Sequence, residues 1–190
     1  MNIKEVLSLT AFYLQMEDVL KLPFFKEDGG NTISGDTEAE KTLLQLLRCA
    51  NLAINEIATD YFPLYTRETV DAVGGTIMIA DLKRRLIDVR RITLNGRKVK
   101  FKSYPAVIRT VNARVEAEYS YMPDELTLDG ETPFGDKVGA RVIAYGAAAE
   151  YCITSGLFEE TVMWEKRFKD ALFSAQRKQY EITVKPRVWE

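Results

Sequence analysis

The chain has 190 residues, 46% of them hydrophobic and 28% charged, and a formal net charge of -2. These proportions predict a soluble globular protein of one ordinary domain, or one domain with an appended lobe, and the near-neutral charge does not mark a nucleic-acid or membrane-surface binder. The absence of histidine removes the commonest general base and metal ligand, and excludes Ser-His-Asp and Cys-His catalysis.

Residues 3–20 have helical composition, with Leu9, Tyr13, Met16 and Leu20 on one face and Val6 and Leu7 widening it. Pro23 stops this helix. Residues 26–36 are polar and glycine-rich, a loop by composition. Thr37 and Glu40 form a capping box that starts a second helix over residues 38–60. Its main stripe is Leu43, Leu47, Ala50, Ile54, Ile57 and Tyr61, with Leu44 and Leu46 beside it. Phe62-Pro63 ends it, because a residue before proline disfavours helix.

Between residues 64 and 128 the pattern changes to strands. Gly74-Gly75 separates two β-prone runs, 65–73 and 76–82. Asn95-Gly96 between the runs 89–94 and 97–101 predicts a hairpin with a type I′ turn, since both positions require positive φ. Residues 113–121 alternate strictly, which predicts one face buried (Ala113, Val115, Ala117, Tyr119, Tyr121) and the other wet. An acidic, proline-bearing loop follows over residues 122–135.

A third helix is predicted over residues 137–155, with Val138, Val142, Tyr145, Ala149 and Cys152 in one stripe. Ala140, Ala144, Ala147 and Ala148 allow close approach of other helices. Gly156 is placed to end it as a left-handed cap. The fourth helix, 158–178, has Glu159 and Glu160 at its positive end and Arg177 and Lys178 at its negative end. Its stripe is Leu157, Thr161, Trp164, Phe168, Ala171 and Ala175. Residues 182–189 are extended in character. Their alternate apolar positions, ending in Val188 and Trp189, suit a strand added to a sheet or a plug for a pocket, on this chain or a neighbour.

The fold class expected is therefore α+β: a mainly helical body of about four helices, an inserted antiparallel β-hairpin region and an extended C-terminal tail. The divisions are residues 1–62, 63–130, 136–180 and 181–190 of a single domain. Cys49 and Cys152 lie in apolar helical stretches and read as buried thiols of a reducing compartment, with a disulfide between them left open. The N-terminal charges do not fit a secretory signal, and no run reaches the length of a membrane span, so synthesis in the cytoplasm and no membrane partner are expected.

No phosphate loop, dinucleotide fingerprint, zinc spacing or EF-hand is present, and no cofactor, metal or catalytic residue is expected. The acidic loop offers Asp124, Glu125, Asp129 and Glu131, but their spacing does not match a calcium loop. The one electrostatic anomaly is residues 83–102. Lys83, Arg84, Arg85, Arg90, Arg91, Arg97, Lys98, Lys100 and Lys102 stand there against the single acid Asp88. Such a basic hairpin could touch nucleic-acid phosphates, meet an acidic surface on a neighbouring protein, or be a solvated edge that deters aggregation. Pairing of this hairpin with the acidic loop of an adjacent copy is one way the chain could self-associate.

Four stretches carry a family resemblance: residues 36–64, ending Asp-Tyr-Phe-Pro-Leu; 117–128, AEYSYMPDELTL; 144–155, AYGAAAEYCITS; and 158–171, FEETVMWEKRFKDA. In this order they resemble the head-tail connector (adaptor) proteins of tailed bacteriophages. The resemblance implies a non-enzymatic virion protein at the head-tail junction, assembled in the host cytoplasm. It implies a self-assembled ring, usually twelve-fold, that docks to the portal protein and joins it to a tail or stopper protein, with genomic DNA passing through the lumen. The residues left as candidate contacts are those of the hairpin, the acidic loop and the tail. The alternative expectation is a nucleic-acid-binding module using residues 83–102.

Overall fold

The computed structural model describes residues 1–26 and 33–177. The expected extended tail, with Val188 and Trp189, and the middle of the expected loop at 26–36 lie outside the described residues. The architecture is α+β: helices α1 (Ile3–Tyr13), α2 (Glu17–Leu20), α3 (Glu38–Glu56), α4 (Ala140–Thr154) and α5 (Phe158–Arg177) accompany antiparallel strands β1–β7. Among the described residues, no helix is long and apolar enough to cross a membrane. The chain divides into two compact units, residues 1–53 with 126–190, and residues 54–125.

The first unit is helical. Asn2 caps α1, its Oδ1 accepting from the Lys4 amide at 2.9 Å. The helix expected over 3–20 is two helices, and the buried face is Ile3, Val6, Leu7, Thr10 and Ala11 rather than the stripe through Leu9 and Met16. The break is a left-handed cap made without glycine. Gln15 sits at φ 56°, its amide donates to Phe12, and the Met16 amide donates back to Ala11 at 2.9 Å. That turn leaves Tyr13 stacked on Tyr145 at 5.2 Å and beside Trp164 at 5.5 Å.

The capping box of α3 forms as expected. The Glu40 amide donates to Thr37 Oγ1 at 3.2 Å, and Glu40 Oε2 accepts the amides of Thr37 and Asp36. The buried positions of α3 are Leu43, Leu46, Cys49, Ala50, Ala53 and Ile54, so Leu46 takes the place expected of Leu47, which is half-buried. α3 passes into a π-helical turn, Ile57–Tyr61, before Pro63. Asn51 exchanges two hydrogen bonds with the backbone of Leu126, at 2.8 and 3.0 Å, fixing the point where the chain returns to this unit.

α4 is buried on nearly all sides through Ala144, Gly146, Ala147, Ala148 and Ala149, whose small side chains let α3 and α5 approach. Gly156, at φ 74°, ends it. The Gly156 amide donates to Ile153 and the Leu157 amide to Cys152, the paired bonds of a Schellman cap. On α5 the buried set is Thr161, Trp164, Phe168 and Leu172; Leu157 and Ala175, expected in this stripe, are exposed and half-buried respectively. Cys49 and Cys152 are buried free thiols.

The second unit is two small antiparallel sheets. The larger has the order β1-β7-β3-β4, built from β1 (Tyr65–Asp71), β3 (Leu86–Leu94), β4 (Arg97–Val99) and β7 (Arg114–Tyr121). The smaller, β2-β6-β5, uses β2 (Thr76–Met78), β5 (Lys102–Ser103) and β6 (Val107–Arg109). Asn95 and Gly96 both have positive φ, 50° and 78°, and join β3 to β4 as the expected hairpin. The two runs either side of Gly74-Gly75 do not form a ladder together: β1 pairs with β7 and β2 with β6. Ile77, Ile92, Ile108, Val115, Ala117 and Tyr119 share the core of this unit. Burying each of the larger apolar side chains there contributes roughly 1.5–3 kcal/mol, enough in sum to hold short strands together.

Candidate functional site

The alternation of β7 is obeyed on its apolar face, where Val115, Ala117 and Tyr119 are buried. The other face is not wet throughout. Glu118 and Ser120 are buried, and the Glu118 side chain is only 5% exposed. The reason is strand order. β7 lies between β1 and β3, so long side chains from both neighbours close over its polar face.

A charged carboxylate at that depth requires partners, and the register supplies them. Arg67 on β1 stands directly opposite Glu118 and donates Nε to Oε2 at 2.7 Å. On the other side β3 carries a β-bulge, its register shifting between Val89 and Arg91. In a regular strand Arg90 and Arg91 would point to opposite faces. The bulge sets both against the one residue. Arg90 donates to Oε1 at 2.8 Å and Arg91 donates to Oε2. The Arg90 guanidinium also lies over the Tyr65 ring at 4.7 Å. Hydrogen bonding from Arg91, then from Arg67, holds the Glu118 carboxyl below the usual carboxylate range, against the opposing pull of desolvation.

Arg67, Arg90, Arg91, Lys98 and Glu118 line a recess of about 280 Å³. Lys98 reaches it from β4, and among the described residues its ammonium has no carboxylate partner. The cations therefore exceed the anion in the recess. Along the same face Glu116 Oε2 accepts from Thr93 Oγ1 at 3.1 Å.

The other sequence candidates are placed separately. Arg84 forms an ion pair with Asp124 and lies over the Tyr121 ring at 5.4 Å. Its amide donates to Tyr119 Oη, which donates in turn to Glu68 at 2.7 Å. Arg85, Arg97 and Lys100 are exposed. Lys100 borders an open groove of about 820 Å³ with Val99, Phe101, Lys102, Arg109 and Val111, an apolar floor with cationic walls. Glu125 and Asp129 are exposed and fall in different units, the second and the first. Among the described residues, no three carboxylates or thiols gather at metal-holding distance.

Compared with known proteins, the sequence matches no family model. No curated protein is significantly similar to it.

Sequence reasoning found the arginines of the clamp on β3 but missed Glu118 and Arg67. The signal was present in residues 114–121: two glutamates alternate with apolar positions on a strand long enough to be central, in a chain whose basic excess sits on one hairpin. Matching that strand to its neighbours would have required the register, which local sequence does not carry.

Proposed function

We propose that this chain is a structural subunit of a ring at the head-tail junction of a tailed bacteriophage, binding copies of itself, the portal and a tail or stopper protein around a DNA channel. The observation that carries this reading is the outer surface of α5. Phe158, Val162 and Phe173 are 70%, 68% and 58% exposed and fall within one narrow face at helical spacing, with Glu165, Lys166 and Lys169 between them. Large apolar side chains held in water along one face of a stable helix favour a protein partner. Glu165 and Lys169 pair with each other along this face, so a second copy would meet it through the apolar side chains. The resemblance of residues 144–155 and 158–171 to connector proteins falls on this same helical pair.

The test is electron microscopy and mass photometry of the purified protein, alone and with the portal of its phage. Rings are expected in at least the second case, and Val162→Lys with Phe173→Lys should abolish them while leaving the helical circular dichroism unchanged. A monomer under both conditions would sink the reading.

A second reading, a nucleic-acid-binding module, is favoured by the groove beside β5 and β6. There Lys100, Lys102 and Arg109 surround Phe101, and Arg109 lies over Tyr104 at 5.5 Å. Base stacking on an aromatic floor between cationic walls is the chemistry of single-strand binding. Affinity for oligonucleotides that falls steeply with salt, in a protein that forms no rings, would prefer this reading.

A further inference from the structure

We infer that the recess formed by Arg67, Arg90, Arg91 and Lys98 over Glu118 is a binding site for a phosphate group. The inference goes beyond both readings above, which are argued from α5 and from the groove beside β5 and β6.

The arrangement is built rather than incidental. A guanidinium has five N–H donors, and each of the three arginines spends one on Glu118. Glu118 thus works as an orienting carboxylate from below, leaving most donors for the recess and its solvent. Arg90 is fixed a second time by the Tyr65 ring. The bulge in β3 is what brings two consecutive arginines to one place. A regular strand would have left one of them on the far face.

The charge balance selects the ligand. Four cations face one buried anion, so the recess suits a group carrying more than a single negative charge. A carboxylate already occupies the inner position, and a second would present its two oxygens in a single plane and bring only one negative charge. A tetrahedral oxyanion offers acceptors in several directions, which matches guanidinium forks converging from β1 and β3 with an ammonium from β4. The volume of about 280 Å³ accommodates a phosphate group with several waters. Glu116, two residues before Glu118 on β7, accepts from Thr93 and does not line the recess.

The probe is inorganic phosphate, titrated calorimetrically and by thermal shift against sodium chloride at matched ionic strength. The full chain should bind phosphate and gain stability that chloride does not give. Arg91→Gln should weaken phosphate about tenfold, the loss expected for one charge-assisted bond at a partly exposed site. Because Arg91→Gln also removes a partner of buried Glu118 and so acts on folding as well, Lys98→Gln is the second variant. Lys98 does not touch Glu118, and its loss should weaken phosphate about threefold with the melting curve otherwise unchanged. Phosphate and chloride acting alike on the wild type, or phosphate binding undiminished in Lys98→Gln, would overturn the proposal. A short DNA duplex distinguishes the sources. Competition with phosphate assigns the site to backbone phosphates; phosphate binding without competition assigns it to free phosphate or a small phosphorylated ligand.

Discussion

Gly146 sets two physical effects against each other. It lies inside α4, where replacement by alanine gains about 1 kcal/mol of helix propensity. A Cβ built there, however, would stand 2.8 Å from the Cβ of Ala53 on α3 and 2.9 Å from the Phe168 ring on α5. Ordinary carbon contacts are about 3.5–4.0 Å, so α4 would have to part from both neighbours by a substantial fraction of an ångström. Neither neighbour can yield cheaply, because Ala53 is fully buried and Phe168 is 2% exposed. Overpacking of this kind costs about 1–3 kcal/mol. With a mid-range value of about 2 kcal/mol, the net effect of Gly146→Ala is a loss of about 1 kcal/mol, or roughly 2–4 °C in Tm for a chain of this size. Urea and thermal unfolding followed by far-ultraviolet circular dichroism would measure it. The cause is isolated by a double-mutant cycle with Ala53→Gly. The two substitutions should couple by at least about 0.5 kcal/mol in the favourable direction, since the second removes the nearer clash. A Gly146→Ala protein more stable than wild type, or a strictly additive cycle, would refute the packing argument.

Thr37→Ala should cost about 1 kcal/mol in urea unfolding, through the capping box that starts α3. Glu118 has a folded-state pKa held below its unfolded value, so its stabilising contribution is present above the ordinary carboxylate range and is lost as the pH falls through the folded value. Glu118→Gln should accordingly flatten the acid limb of a stability-pH curve. Burial, and then the hydrogen bond to Glu68, push the Tyr119 phenol up to about 12. It should ionise late in an ultraviolet titration, with stability intact below about pH 10 and declining as pH rises towards that value. The Cys49 thiol is pushed up to about 11, chiefly by burial, and should resist a thiol reagent at neutral pH until the protein is unfolded.

The features legible in the sequence are those whose chemistry is contained within a few residues. The capping box of Thr37 and Glu40, the Asn95-Gly96 turn and the Gly156 cap each depend on neighbours one to five positions away. The break after α1 uses the same cap geometry as Gly156, but Gln15 adopts the left-handed conformation there and leaves no compositional mark. Burial of Leu46 rather than Leu47, and of Leu172 rather than Ala175, depends on the direction from which other elements meet α3 and α5. The site was half legible for the same reason. Three of its four cations are clustered along β3 and β4, but the fourth, Arg67, lies on β1, the acid that organises them lies on β7, 27 residues after Arg91, and the bulge that aligns them belongs to a pairing rather than to a run of residues.

This difference between charge in sequence and charge in space changes what the basic hairpin can offer a partner. Arg84 is paired with Asp124 of the same chain, and Arg90 and Arg91 are committed to Glu118. Reversing the charge at Arg90 or Arg91 would therefore set a like charge against a buried carboxylate and act first on the fold of the second unit, whatever it did to assembly. Among the described residues, Lys83, Arg85, Arg97, Lys98, Lys100 and Lys102 have no carboxylate partner, and Glu125, Asp129 and Glu131 have no cationic one. Any pairing between the hairpin of one copy and the acidic loop of another has to draw on these. Arg97, at the tip of the β3–β4 hairpin and exposed, is the position where charge reversal reports on association without touching the clamp.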